Sequence, residues 1–166
     1  MHRNDRHRIR VALAAAITAM LAVATPVLAA DEINLSKGLS GTGKPLALHG
    51  HDPVAFFTLG APTPGSAEFA SVHESATYYF ASEANRKAFE SAPSKYLPAY
   101  GGFCAYGVSV GKKFDGDPRF WTISNGRLYL NLNAEIAKKF PADVPGAIAE
   151  ADERWSEIRS SGVDSL

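Results

Sequence analysis

The chain has a single cysteine, Cys104, so no intramolecular disulfide can brace it. Its two methionines, Met1 and Met20, both lie in the first thirty residues, leaving the rest without a thioether ligand for copper. Neither sign of charge dominates, with 17 Lys and Arg against 17 Asp and Glu. The apolar stretch at 11–23 is about thirteen residues, well short of the roughly twenty that span a bilayer. Standard catalytic signatures are also missing. There is no CxxC, HExxH or G-x-S-x-G, and the "GKK" at 111–113 lacks the glycine spacing of a phosphate-binding loop.

What the first thirty residues do contain is the layout of a secretory signal peptide. Arg3, Arg6, Arg8 and Arg10 precede the apolar run, Pro26 breaks it, and the small residues Ala29 and Ala30 follow. Cleavage of a Sec-type signal after Ala29 or Ala30 is expected, with a periplasmic or secreted product and no membrane span left. Removing 1–30 takes four arginines and one aspartate, leaving 13 basic against 16 acidic side chains. That mild acidity predicts no affinity for nucleic acid. The remaining length suits one domain with a real core.

Residues 31–45 are polar and glycine-rich with no apolar period, and read as a flexible lead. Beyond them the patterning alternates between strand and helix. "EFASVHESATYYFAS" reads as a hairpin about Glu74-Ser75, and "FWTISNGRLYLNLN" as a second one about Asn125-Gly126, the pair that a type I′ turn favours. Ser82 caps a helix that ends before Pro93, Asn133 caps another, and Ile148, Ala151, Trp155 and Ile158 line one face of a final helix over 144–158. No internal repeat is evident. The order predicts an α+β fold, a small single domain of two β-hairpins with packed helices, rather than a parallel sheet.

The residues with chemistry are few. On an extended segment His49 and His51 project from one side as half of a metal site; alternatively they are exposed loop residues flanking a glycine turn. His73, in register with Phe69 and Ser71, is a further ligand or a strand-edge side chain. Asp52 and Pro53 shape a turn, the carboxylate accepting backbone N–H groups. Gly101 and Gly102 place Cys104 just after a turn where a short helix begins. A thiol there has its ionised form favoured, whereas free cysteine is also among the most buried residue types, and Phe103 and Tyr106 are at hand to enclose it.

Taken together, "GHDPVAFF", "GSAEF", "ATYYFASEANRKAFESAPSKYLPAYGGFCAYGVSVGKKFDGDP" and "WTISNGRLYLNLN" resemble the YHS domain family, and more closely its exported bacterial subgroup. The resemblance runs over 46–133, with 134–166 as a C-terminal helical extension. It implies a treble-clef-like core and a heavy-metal-binding module related to domains found beside copper-transporting ATPases. Some members of the subgroup carry selenocysteine, and Cys104 is the one residue here that could correspond. Asp52, Pro53, Gly101, Gly102 and Cys104 match the family pattern. Metal-type members have cysteine where this chain has Ala55 and Ala81, and His51 stands where the subgroup has tyrosine.

Three expectations follow. The first is an exported, non-catalytic module that binds copper or zinc through Cys104 with one or more of His49, His51 and His73. The second is a thiol-redox protein in which Cys104 is a reactive thiolate that works with a partner protein, since no resolving cysteine exists. The third is an interaction or scaffold domain with Cys104 buried and inert.

Overall fold

The structure is a computed structural model that describes residues 31–140 and 144–166; the expected signal peptide lies outside them. It is an α+β domain with two separate two-stranded antiparallel sheets. A left-handed turn over Leu48–Gly50 leads into α1 (Ala55–Thr58), then β1 (Ser66–His73), β2 (Ala76–Phe80), α2 (Glu83–Ser91) and α3 (Pro93–Tyr96). A second such turn over Ala99–Gly102 leads into α4 (Ala105–Ser109), β3 (Asp117–Ser124), β4 (Arg127–Asn131), α5 (Ala134–Lys139) and α6 (Val144–Ile158). No helix among the described residues is long and apolar enough to cross a membrane.

Local chemistry explains the element ends. Glu74, Asn125 and Gly126 take positive φ (53°, 50° and 73°) at the two hairpin turns, the hand that matches strand twist. The Ser82 side chain accepts from Asn85 N and Asn133 from Ile136 N, each stopping a strand's continuation and starting a helix. Pro93 opens α3, where its missing N–H costs nothing. Two apolar clusters result. One gathers Leu48, Val54, Phe56, Tyr78, Phe80, Phe89 and Leu128; the other gathers Tyr100, Phe103, Val108, Tyr129 and Phe140 beneath Ala151 and Ile158 of α6.

The same arrangement occurs twice, over 46–89 and again over 98–140. Leu48, His49 and Gly50 have φ of 52°, 49° and 75°, and Tyr100, Gly101 and Gly102 have 54°, 62° and 87°. Each turn is closed alike, by His51 N to Leu48 O at 2.9 Å and Phe103 N to Tyr100 O at 3.1 Å. The bridges His51 to Pro64 and Leu46 to Thr77 have counterparts in Phe103 to Asp115 and Pro98 to Leu128. Both hairpins break register at corresponding places, between Ser66 and Ala70 and between Asp117 and Trp121. Both units end on a fully buried phenylalanine, Phe89 and Phe140. No repeat is legible in the sequence because backbone conformation is shared while most side chains differ.

The lead also differs from its composition. Residues 31–45 are tied down by hydrogen bonds rather than loose. Asn34 N donates to Gly101 O at 2.9 Å, Ser36 N to Leu46 O at 2.8 Å, and Ser40 Oγ to Thr77 Oγ1 at 2.9 Å. Leu35 bridges Ala47 in the manner of a strand.

Candidate functional site

Cys104 caps α4 and is 1% exposed. Its Sγ accepts the Gly107 N–H at 3.4 Å, and the thiol donates to Asn131 Oδ1 at 4.0 Å. Burial pushes the thiol above its ordinary pKa, outweighing the backbone N–H groups of Gly107, Leu132 and Tyr106 that favour the thiolate. The lowered pKa expected at a helix start is therefore reversed. A helix of five residues adds little dipole, and loss of water around the sulfur costs the charged form more.

Asp52 holds the corresponding position in the first unit and is fully buried. Its Oδ1 accepts from Val54 N at 2.8 Å and Ala55 N at 3.3 Å; its Oδ2 accepts from Ala81 N at 2.8 Å and Asn85 Nδ2 at 2.6 Å. The backbone donors correspond one for one: Val54 and Ala55 to Tyr106 and Gly107, and Ala81 to Leu132. Thus Ala55 and Ala81 both turn their N–H groups onto Asp52. Pro53 is buried beside it.

The three histidines among the described residues are engaged separately. His49, on its left-handed backbone, places Nε2 2.8 Å from Asp115 Oδ1 at the surface. His51 Nδ1 lies 3.2 Å from the Leu48 carbonyl. His73 Nε2 is 4.0 Å from Glu74 Oε1, and its ring meets Phe89 edge-on at 5.8 Å. Among the described residues, no group of three or more His, Cys, Asp or Glu side chains is placed to hold a metal ion. Gly101 and Gly102 serve the lead: a Cβ on Gly101 would strike the Glu32 carbonyl, and the Gly102 carbonyl accepts from Asn34 Nδ2 at 3.1 Å.

Comparison with known proteins finds no matching family model, no matching curated protein and no matching solved structure.

Two buried groups carried no signal in the sequence. Lys113, 3% exposed, donates from Nζ to the carbonyls of Asp31, Arg159 and Ser161 at 2.6, 2.9 and 2.7 Å. It also lies over the rings of Phe103 and Trp155, so one ammonium clasps the lead to the C-terminal segment. Burial lowers its pKa, and the charges of Asp31 and Glu32 oppose that. Asn131 is fully buried, and its Nδ2 has no hydrogen-bond partner among the described residues. Its counterpart in the first hairpin is Phe80, paired with Ser66 as Asn131 is with Asp117.

Proposed function

We propose that this chain is an exported binding module of YHS-like, treble-clef-like fold that works by docking a ligand or partner and performs no catalysis, with Cys104 serving the fold. One observation carries this reading: the Cys104 sulfur faces backbone donors at the positions corresponding to those around the Asp52 carboxylate, and both side chains are sealed from water. A side chain in that place caps a turn. A nucleophile or ligand would need an open approach and an ionisable thiol. Reaction of the native protein with a maleimide tests the proposal. Labelling is expected to be slow and to track unfolding in urea, and rapid stoichiometric labelling of the folded chain would sink it.

A copper- or zinc-binding role is the second reading, favoured by the His49–Asp115 pair at the surface, with Asp117 near enough for His49 to help depress its carboxyl pKa after Arg119 has done most of that. With Nε2 held by the Asp115 carboxylate, Nδ1 is the ring nitrogen left to serve as a ligand. Copper and zinc titration of the wild type beside His49→Ala and Cys104→Ala separates the possibilities. Loss of binding with His49→Ala alone supports a surface site, and loss with Cys104→Ala restores the thiol as a ligand.

A further inference from the structure

Beside the N-terminal lead lie two concavities that meet at Glu32, Ile33 and Glu74. The larger, about 510 Å³, has Leu35, Leu39 and Pro45 in its wall, with Leu39 74% exposed. The smaller, about 150 Å³, is walled by Tyr78, Trp155 and Pro98. A volume of this order, apolar walls and a few converging polar groups are the usual make-up of a small-ligand site.

The charges around it select one kind of ligand. Asp31, Glu32 and Glu74 line the two hollows against Lys44 and Arg159. Glu32 is already paired with Arg159 at 2.7 Å, and an Asp31 oxygen is taken by Val163 N at 2.9 Å. Among the described residues Glu74 is left with only His73, at 4.0 Å. It sits at the junction of both hollows on a left-handed backbone, φ 53°, where asparagine or glycine is the usual choice. Tyr78 supplies an independent sign: it is 2% exposed, lines the smaller hollow, and its hydroxyl makes no hydrogen bond among the described residues. The Glu74 carboxylate is near enough to add to the effect of burial in raising the Tyr78 phenol.

We propose that these two hollows form one site for a cationic amphiphile, a primary ammonium on an apolar chain or ring, with Glu74 as counter-ion. The ammonium sits at the junction, bonded to the Glu74 carboxylate and within reach of the Tyr78 hydroxyl and ring. The apolar body lies along Leu35, Leu39 and Pro45. An anionic ligand at the junction meets the Glu74 carboxylate and is disfavoured. This rests on reading the chain as a binding module, and it adds the site and the chemistry of what is bound.

Hexylammonium is the probe, with hexanoate of equal length as its control, and amide NMR shifts are the readout. Hexylammonium should shift the amides of Ile33, Glu74 and Tyr78 saturably, with hexanoate weaker by at least about tenfold. Glu74→Gln, which keeps the turn and removes the charge, should weaken hexylammonium about tenfold, and Tyr78→Phe should weaken it by a smaller factor. Equal binding of both probes, unchanged affinity in Glu74→Gln, or no saturable shift at those amides overturns the site. Fast maleimide labelling of native Cys104 would instead overturn the reading of the whole chain, so the two failures are distinguishable.

Discussion

The two repeated units use one backbone frame and finish it with different chemistry. In the first, the buried Asp52 carboxylate meets four donors at 2.6 to 3.3 Å, so every polar group around it is answered. In the second, a thiol stands in that place, its nearest donor lies at 3.4 Å, and the neighbouring Asn131 Nδ2 has no acceptor among the described residues. Sulfur is a weak acceptor and carries no charge when protonated, so the second cap holds its turn less tightly. Support comes instead from outside the unit. Helix α6 covers α4 and Tyr129 through Ala151, Trp155 and Ile158, and Lys113 fastens the C-terminal segment to the lead. The first unit is thus secured from within, and the second by what packs upon it.

Asp52→Ala strikes the complete cap and should be the most damaging change. It strands four donors, three of them backbone N–H groups, and urea unfolding should show a loss of about 3–5 kcal/mol. Lys113→Met tests the external support. Three carbonyls lose their donor while the side-chain volume stays similar, with an expected loss of about 2–4 kcal/mol and faster hydrogen exchange in the lead than in β1 and β2. If the lead exchanges no faster, the clasp is not what holds it.

Cys104→Asp probes the equivalence itself. A carboxylate there can accept from Gly107 N, from Leu132 N and from the stranded Asn131 amide, so the cost should stay under about 2 kcal/mol. Cys104→Leu offers no acceptor and overfills the space, and should cost more. If the two substitutions rank in the opposite order, the frames differ more than their hydrogen bonds suggest. The wild-type thiol also has a pH signature. Because burial raises its folded pKa, the unfolded chain releases the proton first, so the thiol's contribution is complete below about pH 8.5 and is lost as the pH rises above that. The slope from this one group cannot exceed about 1.4 kcal/mol per pH unit, and Cys104→Ser should remove it. His49→Ala is the smallest change, since an exposed histidine–carboxylate pair contributes no more than about 1 kcal/mol.

Much of the local structure was legible in the residues themselves. Asn125-Gly126, the caps Ser82 and Asn133, and the apolar stripe of α6 act through neighbours a few positions away, so their effect is written in adjacent letters. The candidate site was far less legible. Composition at 31–45 suggests a loose lead, but its anchors are Gly101, Thr77 and Lys113, all distant in sequence. The repeat was hidden because a left-handed turn accepts Leu48-His49-Gly50 in one unit and Tyr100-Gly101-Gly102 in the other. What recurs is backbone geometry, and many sequences satisfy it.

The sequence by itself settled that no disulfide is available, where the two hairpins turn, and that helices and antiparallel strands share one domain. Each of these depends on residue identity or on contacts within a few positions. Only the tertiary structure decided that Cys104 is sealed from water at the start of α4, that burial raises its thiol pKa, and that it fills the place Asp52 fills in the first unit. Those outcomes depend on which surfaces lose water when distant segments meet, and desolvation is a property of the packed chain rather than of any stretch of it.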